Sequence, residues 1–467
     1  MDKYKKLISN TAILGIGTFG SKILVFLLLP LYTSYLSTAQ YSTADIITQS
    51  ANLLMPLMAL GICDAVFRFT LDKDTDRRRV LTTGLYIIFA GLLVFAALFP
   101  VLNLIDYFDG YMWLIILYAF AANVHSLLAQ YCRACGMTAF FALQGIIATA
   151  LTIALNILFL VVMDVGLLGY VLSVVIADAA VSLIIICVIR RDFSLSFKRI
   201  DKALARLMLK FSVPLIPTTI FWWITNVSDR YMIKGFIGDD VNGLYAAAFK
   251  IPTMLILLSG IFIEAWQFSA VTERDTESRK SHEAFFGKVF DSFQGMLYIS
   301  AAVLIAFSKI ASIILFADSY YTAWQYMPLL IVATVFSSLV TFMGSVYLVD
   351  KKSVHSFVTS MIGALVNIVL NLVLIPTPLG ANGAALATFI SYFAVFIIRA
   401  ANTRKMIRFD LHVPKLAANT AIIGVQAVFM ICELPMWIAV QAVGIAAIFV
   451  LNARPILSGI MKLLKRR

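Results

Sequence analysis

Residues 167–191 read LLGYVLSVVIADAAVSLIIICVIRR: twenty-three residues carrying one charge, Asp178, closed by Arg190 and Arg191. A helix needs about 20 apolar residues to cross the hydrocarbon layer of a bilayer. Lys and Arg are retained on the cytoplasmic side during insertion. The stretch therefore reads as one membrane crossing that ends inside. The whole chain repeats the pattern, at 61% hydrophobic, 13% charged and mean hydropathy +0.93. Spans are predicted near 8–35, 42–70, 80–103, 111–135, 138–163, 167–189, 211–236, 242–270, 285–312, 323–349, 354–375, 381–401, 416–432 and 436–453. The odd-numbered connections between these 14 spans hold no Lys or Arg. The termini, the even-numbered connections and the span ends leading into them hold 32 of the 37. The expected class is an all-α polytopic membrane protein with both termini cytoplasmic.

The net charge of +12 is this inside bias and suits an anionic inner leaflet. No basic domain protrudes to wrap a nucleic acid. The N-terminal apolar run is too long for a signal-peptide core and no small-residue cleavage site follows it. The five cysteines lie in spans or at their ends, and the Cys132–Cys135 pair has no second Cys or His pair to complete a metal site. They read as reduced and structural, with no metal ligands. No phosphate-binding Gly-rich loop, HExxH or nucleophile elbow appears, so no catalytic residue is assigned and no cofactor is implied. The sequence reads as that of a non-enzyme.

Two similar halves are visible. Span 5 ends in Leu155-Asn156-Ile157-Leu158-Phe159-Leu160, followed by Gly166 and Gly169. Span 11 ends in Leu370-Asn371-Leu372-Val373-Leu374-Ile375, followed by Pro376, Gly380 and Gly383. An acid followed by Ala, Asp64-Ala65 and Glu264-Ala265, closes spans 2 and 8. Six spans is an even number, so both halves enter from one side and are expected to be parallel repeats. The predicted organisation is an N-lobe at 1–190, a cytoplasmic amphipathic linker at 191–210, a C-lobe at 211–401, and a last pair of spans with a basic tail at 402–467. Pro30, Pro56, Pro214, Pro217 and Pro252 lie in the first two spans of each half. Proline removes a backbone bond and bends a membrane helix, so these are candidate hinges of an alternating-access transporter.

Charges within spans mark candidate sites. Lys22 lies near the bilayer centre, where a Lys costs roughly 2.5–3.5 kcal/mol. It calls for a wet cavity or a partner such as Asp178. Asp229 and Arg230 lie in the outer half of span 7, and Lys250 about two turns below the outer end of span 8. Lys22, Arg230 and Lys250 form a candidate diphosphate site, because a cationic interior and a planar guanidinium suit phosphate. Asp229 is either a cavity group or a neutraliser of Lys250 or Arg230. Asp64 and Arg68 are one turn apart and can pair, and with Glu264 they are candidates for a cytoplasmic gate. His125, near the middle of span 4, is either a proton-linked group or a satisfied bundle residue. Lys234 and Lys309 read as interfacial snorkellers.

These residues carry a resemblance. Asn10 through Gly20-Ser21-Lys22, Leu29-Pro30-Leu31-Tyr32-Thr33, Leu36-Ser37 and Tyr41 open it. Ser228-Asp229-Arg230-Tyr231, Gly243-Leu244-Tyr245 and Lys250-Ile251-Pro252 follow, then Asn367, Asn371, Leu374-Ile375-Pro376 and Gly383-Ala384-Ala385. Over roughly 7–401 the chain resembles the polysaccharide transporters, the Wzx-type flippases of the multidrug/oligosaccharidyl-lipid/polysaccharide (MOP) exporter superfamily. Ser42 departs from the pattern, which usually has Gly after Tyr41. The resemblance implies two six-helix lobes around a central cavity in the bacterial cytoplasmic membrane. It implies flipping of an undecaprenyl-diphosphate-linked oligosaccharide for capsule, O-antigen or exopolysaccharide synthesis. Other membrane proteins of polysaccharide assembly are candidate partners, and coupling to an ion gradient is open. In lipid II flippases two extra helices form a groove for the lipid tail, a role open to the last two spans.

Two other functions compete. A multidrug or cation antiporter of the same fold calls for an acidic interior. Lys22, Arg230 and Lys250 outnumber Asp178 and Asp229 here. A polysaccharide polymerase calls for a large external loop, and the external connections are short.

Overall fold

The computed structural model describes residues 26, 28–72, 75–190, 192–193, 201–272, 279–349 and 353–464, with side chains undescribed at 106, 264–272, 279–282, 284, 348–349, 353 and 454–464. Every regular element among the described residues is helical. Eleven of the helices are long and apolar enough to cross a membrane, or 12 when one bent pair is taken as a span. The first predicted span lies mostly outside the described residues. The apolar part of the last, Trp437–Ala453, is shorter than the others. The chain divides into two compact units, Met1–Trp223 and Ile224–Arg467.

The first unit opens with α1 (Leu29–Tyr35) and α2 (Thr38–Met58). Pro30 sits in the first turn of α1, where a missing N–H costs nothing. A capping box starts α2: Ser37 Oγ accepts from the Gln40 amide at 3.2 Å and Gln40 Oε1 from the Ser37 amide at 3.0 Å. Pro56 lies one turn before the end of α2 and cannot donate to the carbonyl of residue 52. The helix then closes through a Gly61 N–H to Pro56 O bond of 3.1 Å, with Leu60 and Gly61 at positive φ. α3 (Ile62–Thr70) leaves at 54°. The predicted second span is therefore a broken one. Ser212 Oγ donates to the Leu60 carbonyl at the break, 2.7 Å away.

α4 (Arg77–Leu102), α5 (Met112–Ala134), α6 (Thr138–Asn156) and α7 (Leu167–Val188) complete the bundle. One core joins Ile62, Val66, Leu81, Leu85, Leu127 and Ile185, and a second joins Ile47, Ala51, Leu114, Ala119 and Val171. α6 widens into a π-helical turn at Ile157–Val162, next to buried Asn156. α7 then returns so closely that a Cβ on Gly169 would lie 2.7 Å from Phe159 Cβ. The predicted linker helix is α8 (Lys202–Ser212). Its apolar face is not left to the membrane surface: Leu204 and Met208 join the first core.

A 3₁₀ turn, Val213–Leu215, leads into α9 (Ile216–Phe236). Pro214 is in that turn and Pro217 is the second residue of α9. Both occupy helix-start positions, where proline is accommodated without a kink.

In the second unit, α10 (Asp239–Ala248) and α11 (Lys250–Thr272) follow one another in a single span, interrupted only at Phe249. Pro252 in the first turn of α11 cannot bond to the Ala248 carbonyl, which accounts for the break at Phe249. α12 (Arg279–Ala306), α13 (Ser308–Leu315) and a 3₁₀ segment, Asp318–Gln325, precede α14 (Met327–Val349). α14 is the central helix, packed by α11, α12, α15 (Ser353–Leu374), α16 (Gly380–Thr403) and α17 (Val413–Ile431). Phe336 meets Phe389, Phe393 and Phe396, while Phe342 meets Phe290 and Phe293.

The α15–α16 pair repeats the α6–α7 arrangement of the first unit. Asn371 is buried like Asn156, and a Cβ on Gly383 would lie 2.6 Å from the Leu374 carbonyl oxygen. α17 and α18 (Trp437–Leu464) pack on α12. They are zipped by reciprocal amides: Gln426 with the Gln441 carbonyl and Gln441 with that of Gln426, then Asn419 with Asn452.

Candidate functional site

α9 carries its polar residues on successive faces. Asn226 Oδ1 accepts from Tyr392 at 2.6 Å, and Ser228 Oγ donates to Asn367 Oδ1 at 2.9 Å. Asn367 in turn donates to Thr388, 3.1 Å away, and accepts from Asn371 at 3.0 Å. These bonds fix the rotation of α9 against α15 and α16. Asp229 and Arg230 then fall on the α10 side.

Asp229 is 1% exposed. Its Oδ2 accepts from the Tyr245 hydroxyl at 2.6 Å and its Oδ1 from the Arg230 backbone N–H at 2.9 Å. Tyr245 is itself buried, with its ring 5.9 Å from that of Tyr326. The Arg230 guanidinium lies 4.7 Å over the ring of Phe249, the residue at the α10–α11 break. Lys250 follows immediately. The structure thus brings Asp229 to Tyr245 and Arg230 to Phe249, the residue before Lys250.

Arg230 stands six residues from the end of α9, about 9 Å along the axis. The span containing Lys250 starts at Asp239 rather than 242, so Lys250 is eleven residues in, about 16 Å. That is deeper than the sequence suggested. A planar guanidinium can bind two oxygens of a phosphate in bidentate fashion, with a second cation one residue past its aromatic support in sequence.

Other sequence-marked groups fare differently. Lys22 lies outside the described residues, as does the side chain of Glu264. Asp64 and Arg68 do not pair: the Arg68 guanidinium stacks on Phe211 of α8 at 5.0 Å. The docked α8 offers an aromatic face closer to hand than a carboxylate one turn away. Lys234 does not snorkel: its side chain is 9% exposed and binds Asp239 at 3.2 Å, across the tight α9–α10 turn. Lys309 does not snorkel either. Its ammonium sits 4.2 Å from the Trp324 ring and 4.6 Å from Trp437, and pairs with Glu433. Asp178 belongs to His125 of α5, at 2.7 Å.

One buried cation escaped the sequence reading. Arg399 of α16 is 1% exposed. Its guanidinium donates to Thr359 Oγ1 at 3.0 Å, the Val340 carbonyl at 2.9 Å and Ser360 Oγ at 3.3 Å, and lies 5.6 Å over the Tyr347 ring. It stands four residues before the end of α16, so sequence spacing counts it with the cytoplasmic charges. The signal was the Ser/Thr-rich face of α15 opposite it.

The family model described as polysaccharide biosynthesis protein matches residues 7–266. The chain belongs to that family. No curated protein matches it. Among solved structures, the lipid II flippase MurJ in an inward closed conformation is similar at TM-score 0.69 and 14% identity, covering 96% of this chain and 100% of that one. An inward-facing MATE multidrug resistance transporter of the MOP superfamily is similar at TM-score 0.65 and 13% identity, covering 82% and 94%. An outward-facing MATE multidrug resistance transporter of the same superfamily follows at TM-score 0.61 and 13% identity, covering 86% and 95%. The fold is that of these transporters, and the protein is a multi-pass membrane protein.

Proposed function

We propose that the chain is a flippase. It moves a polyprenyl-diphosphate-linked oligosaccharide across the bacterial cytoplasmic membrane by alternating access, for capsule, O-antigen or exopolysaccharide synthesis. Both chain ends face the cytoplasm, as the positive-inside bias requires. Residues 1–190 and 211–401 act as the two lobes, 191–210 as the linker, and 402–467 as an appended helix pair. Lys22, Arg230 and Lys250 bind the diphosphate. Pro30, Pro56, Pro214, Pro217 and Pro252 are the candidate hinges, and Pro56, beside the 54° bend between α2 and α3, has the most direct support.

The observation that carries this reading is the guanidinium of Arg230, buried within an apolar span against Phe249, the residue before Lys250. Its sequence neighbour Asp229 is engaged by Tyr245 and a backbone amide. In the first unit Asp178 is engaged by His125. Two acids that would favour organic cations are thus already spent, which supports an anionic cargo over the drug-antiporter alternative. The family description, a protein of polysaccharide biosynthesis, agrees with this.

The test is transport specificity in proteoliposomes. Purified protein is expected to translocate a short-chain polyprenyl-diphosphate oligosaccharide and to leave a fluorescent organic cation untouched. Uptake of the cation without movement of the lipid-linked sugar would reverse the assignment.

A further inference from the structure

Inside the first unit a chain of three polar side chains crosses three helices at mid-membrane. His125 Nδ1 lies 2.7 Å from Asp178 Oδ1, and His125 Nε2 lies 2.5 Å from Gln144 Oε1. The Gln144 amide nitrogen donates to the Phe141 carbonyl at 3.0 Å. His125 is nine residues from the inner end of α5 and Asp178 ten from that of α7. Both are thus about 14–15 Å deep in a hydrocarbon layer of roughly 30 Å.

The hydrogen-bond pattern specifies a protonation state. Gln144 is oriented by its own bond to Phe141, so its carbonyl oxygen must face the imidazole. Asp178 presents a carboxylate oxygen to the other nitrogen. A neutral imidazole has one N–H and one lone pair. One of its nitrogens would then confront an oxygen lone pair. Both contacts are satisfied when the pair holds one proton more than a neutral imidazole beside a carboxylate: as an imidazolium with two N–H donors against ionised Asp178, or as an Nε2–H imidazole accepting at Nδ1 from a protonated Asp178. Loss of the Nε2 proton to water leaves Nδ1–H on Asp178 and sets the Nε2 lone pair against Gln144 Oε1. Relief requires the Gln144 amide to turn over and abandon Phe141, or α6 to move away from α5.

We infer that the Asp178–His125–Gln144 chain is a proton-binding site, and that its occupancy sets the packing of α6 against α5 and α7 and so couples transport to the proton gradient. The coupling half rests on the proposed flippase reading; the binding half does not.

The helices packed against α5 add few competing groups. α6 carries no titratable residue, and α7 carries Tyr170 and Cys187 besides Asp178. α2 carries Tyr41 and Asp45, with Asp45 acting on Tyr170 of α7. α3 carries Cys63, whose sulfur is 3.8 Å from the Asn123 carbonyl, with Asp64 and Arg68. α4 carries Tyr86 and, at its inner end, Arg77, Arg78 and Arg79. On α5 itself Tyr118 lies within electrostatic reach of Asp178, and Tyr131, Cys132 and Arg133 are at the inner end. His125 and Asp178 keep 15% and 16% of their side chains exposed, so neither is sealed by protein.

The first readout is free of cargo. The chain has four His. Full-length protein in nanodiscs, labelled with ¹⁵N-histidine, is titrated by NMR, with His125→Gln removing one signal for assignment. The expected result is a His125 resonance with Nε2 protonated at neutral pH. Asp178→Asn and Gln144→Glu, which change the two groups facing the ring, are expected to move its midpoint in opposite directions. A His125 that is neutral with its single proton on Nδ1 throughout the range where the protein is active overturns the proton site.

The second readout is flipping in proteoliposomes under a one-unit pH gradient, which can sustain about tenfold asymmetry of cargo per coupled proton. Wild type and His412→Gln are expected to show gradient-driven asymmetry. His125→Gln is expected to equilibrate cargo with less than twofold asymmetry. Equal asymmetry in wild type and His125→Gln overturns the coupling. Titration of His125 as described in a wild type that flips nothing supports the proton site and refutes the cargo reading instead.

Discussion

Replacing Tyr245 with Phe removes one oxygen from a site where every consequence can be worked out. The hydroxyl is buried and donates to Asp229 Oδ2 at 2.6 Å, and the ring stays in place against Tyr326. Phe fills the same volume, so no cavity term enters. A hydrogen bond to a charged group contributes about 1.5–3 kcal/mol, and a buried carboxylate that loses it gains no water in exchange. Tyr245→Phe is therefore expected to lower unfolding free energy by about 1.5–3 kcal/mol. Asp229→Asn leaves one oxygen to accept from the Arg230 N–H and sets an NH2 against the Tyr245 oxygen, so the second contact survives only if the hydroxyl turns to accept, while the buried charge is gone. In the double mutant the two effects should overlap, with a coupling of about 0.5–3 kcal/mol as for residues in one network. Reversible denaturant unfolding in mixed micelles gives all four values. Strict additivity, or a Tyr245→Phe cost within about 0.5 kcal/mol of zero, the usual range for neutral surface changes, would refute the argument that this hydroxyl holds the carboxylate.

Three further outcomes follow from packing and charge. Gly383→Ala drives a Cβ to 2.6 Å from a backbone carbonyl that cannot rotate away. It should cost about 1–3 kcal/mol in unfolding free energy, whereas Gly424→Ala, with nothing within 4 Å, should gain up to about 1 kcal/mol of helix propensity. Lys309→Met strips the cation from between Trp324 and Trp437 and leaves Glu433 unpaired. A loss of about 0.5–2 kcal/mol is expected, with a changed tryptophan emission spectrum. Gln426→Leu removes one of the two reciprocal bonds, that from its side chain to the Gln441 carbonyl, and leaves the bond from Gln441 to the carbonyl of residue 426. Hydrogen exchange at the α17–α18 turn should accelerate by about tenfold for each 1.4 kcal/mol lost.

The long apolar runs and the placement of Arg190-Arg191 made a helical membrane protein legible from the sequence, because insertion acts on the same two quantities. The matching Asn156 and Asn371 segments marked the two helix pairs that pack alike, since close helix return demands small residues such as Gly169 and Gly383 after them. Less legible was what each proline does. Pro56 stands beside the 54° bend, Pro252 follows a one-residue interruption, and Pro214 and Pro217 lie where a 3₁₀ turn passes into α9, distinctions that depend on where hydrogen bonding begins.

Charges were read by depth alone, and partners changed their meaning. Lys234 and Lys309 lie at snorkelling depth, yet Asp239 and a pair of tryptophans across a turn hold them. Arg399 looked cytoplasmic because position in sequence cannot reveal a hydroxyl-lined face opposite. The sequence singled out Asp229 and Arg230 by their depth, while the roles of Tyr245 and Phe249 as their immediate partners came into view only in the structure.

The central claim is that Arg230 binds the diphosphate of a lipid-linked oligosaccharide, and a charge series at that position tests it most directly. Wild type, Arg230→Lys and Arg230→Gln would be reconstituted after each is shown to be folded and monodisperse. Flipping of a short-chain polyprenyl-diphosphate oligosaccharide would then be measured alongside that of a matched neutral lipid-linked sugar. The account predicts that Gln loses diphosphate-dependent flipping by at least tenfold. Lys should retain an intermediate rate, since a point charge replaces a bidentate fork. Undiminished flipping in folded Arg230→Gln would contradict the account and return the arginine to a structural role.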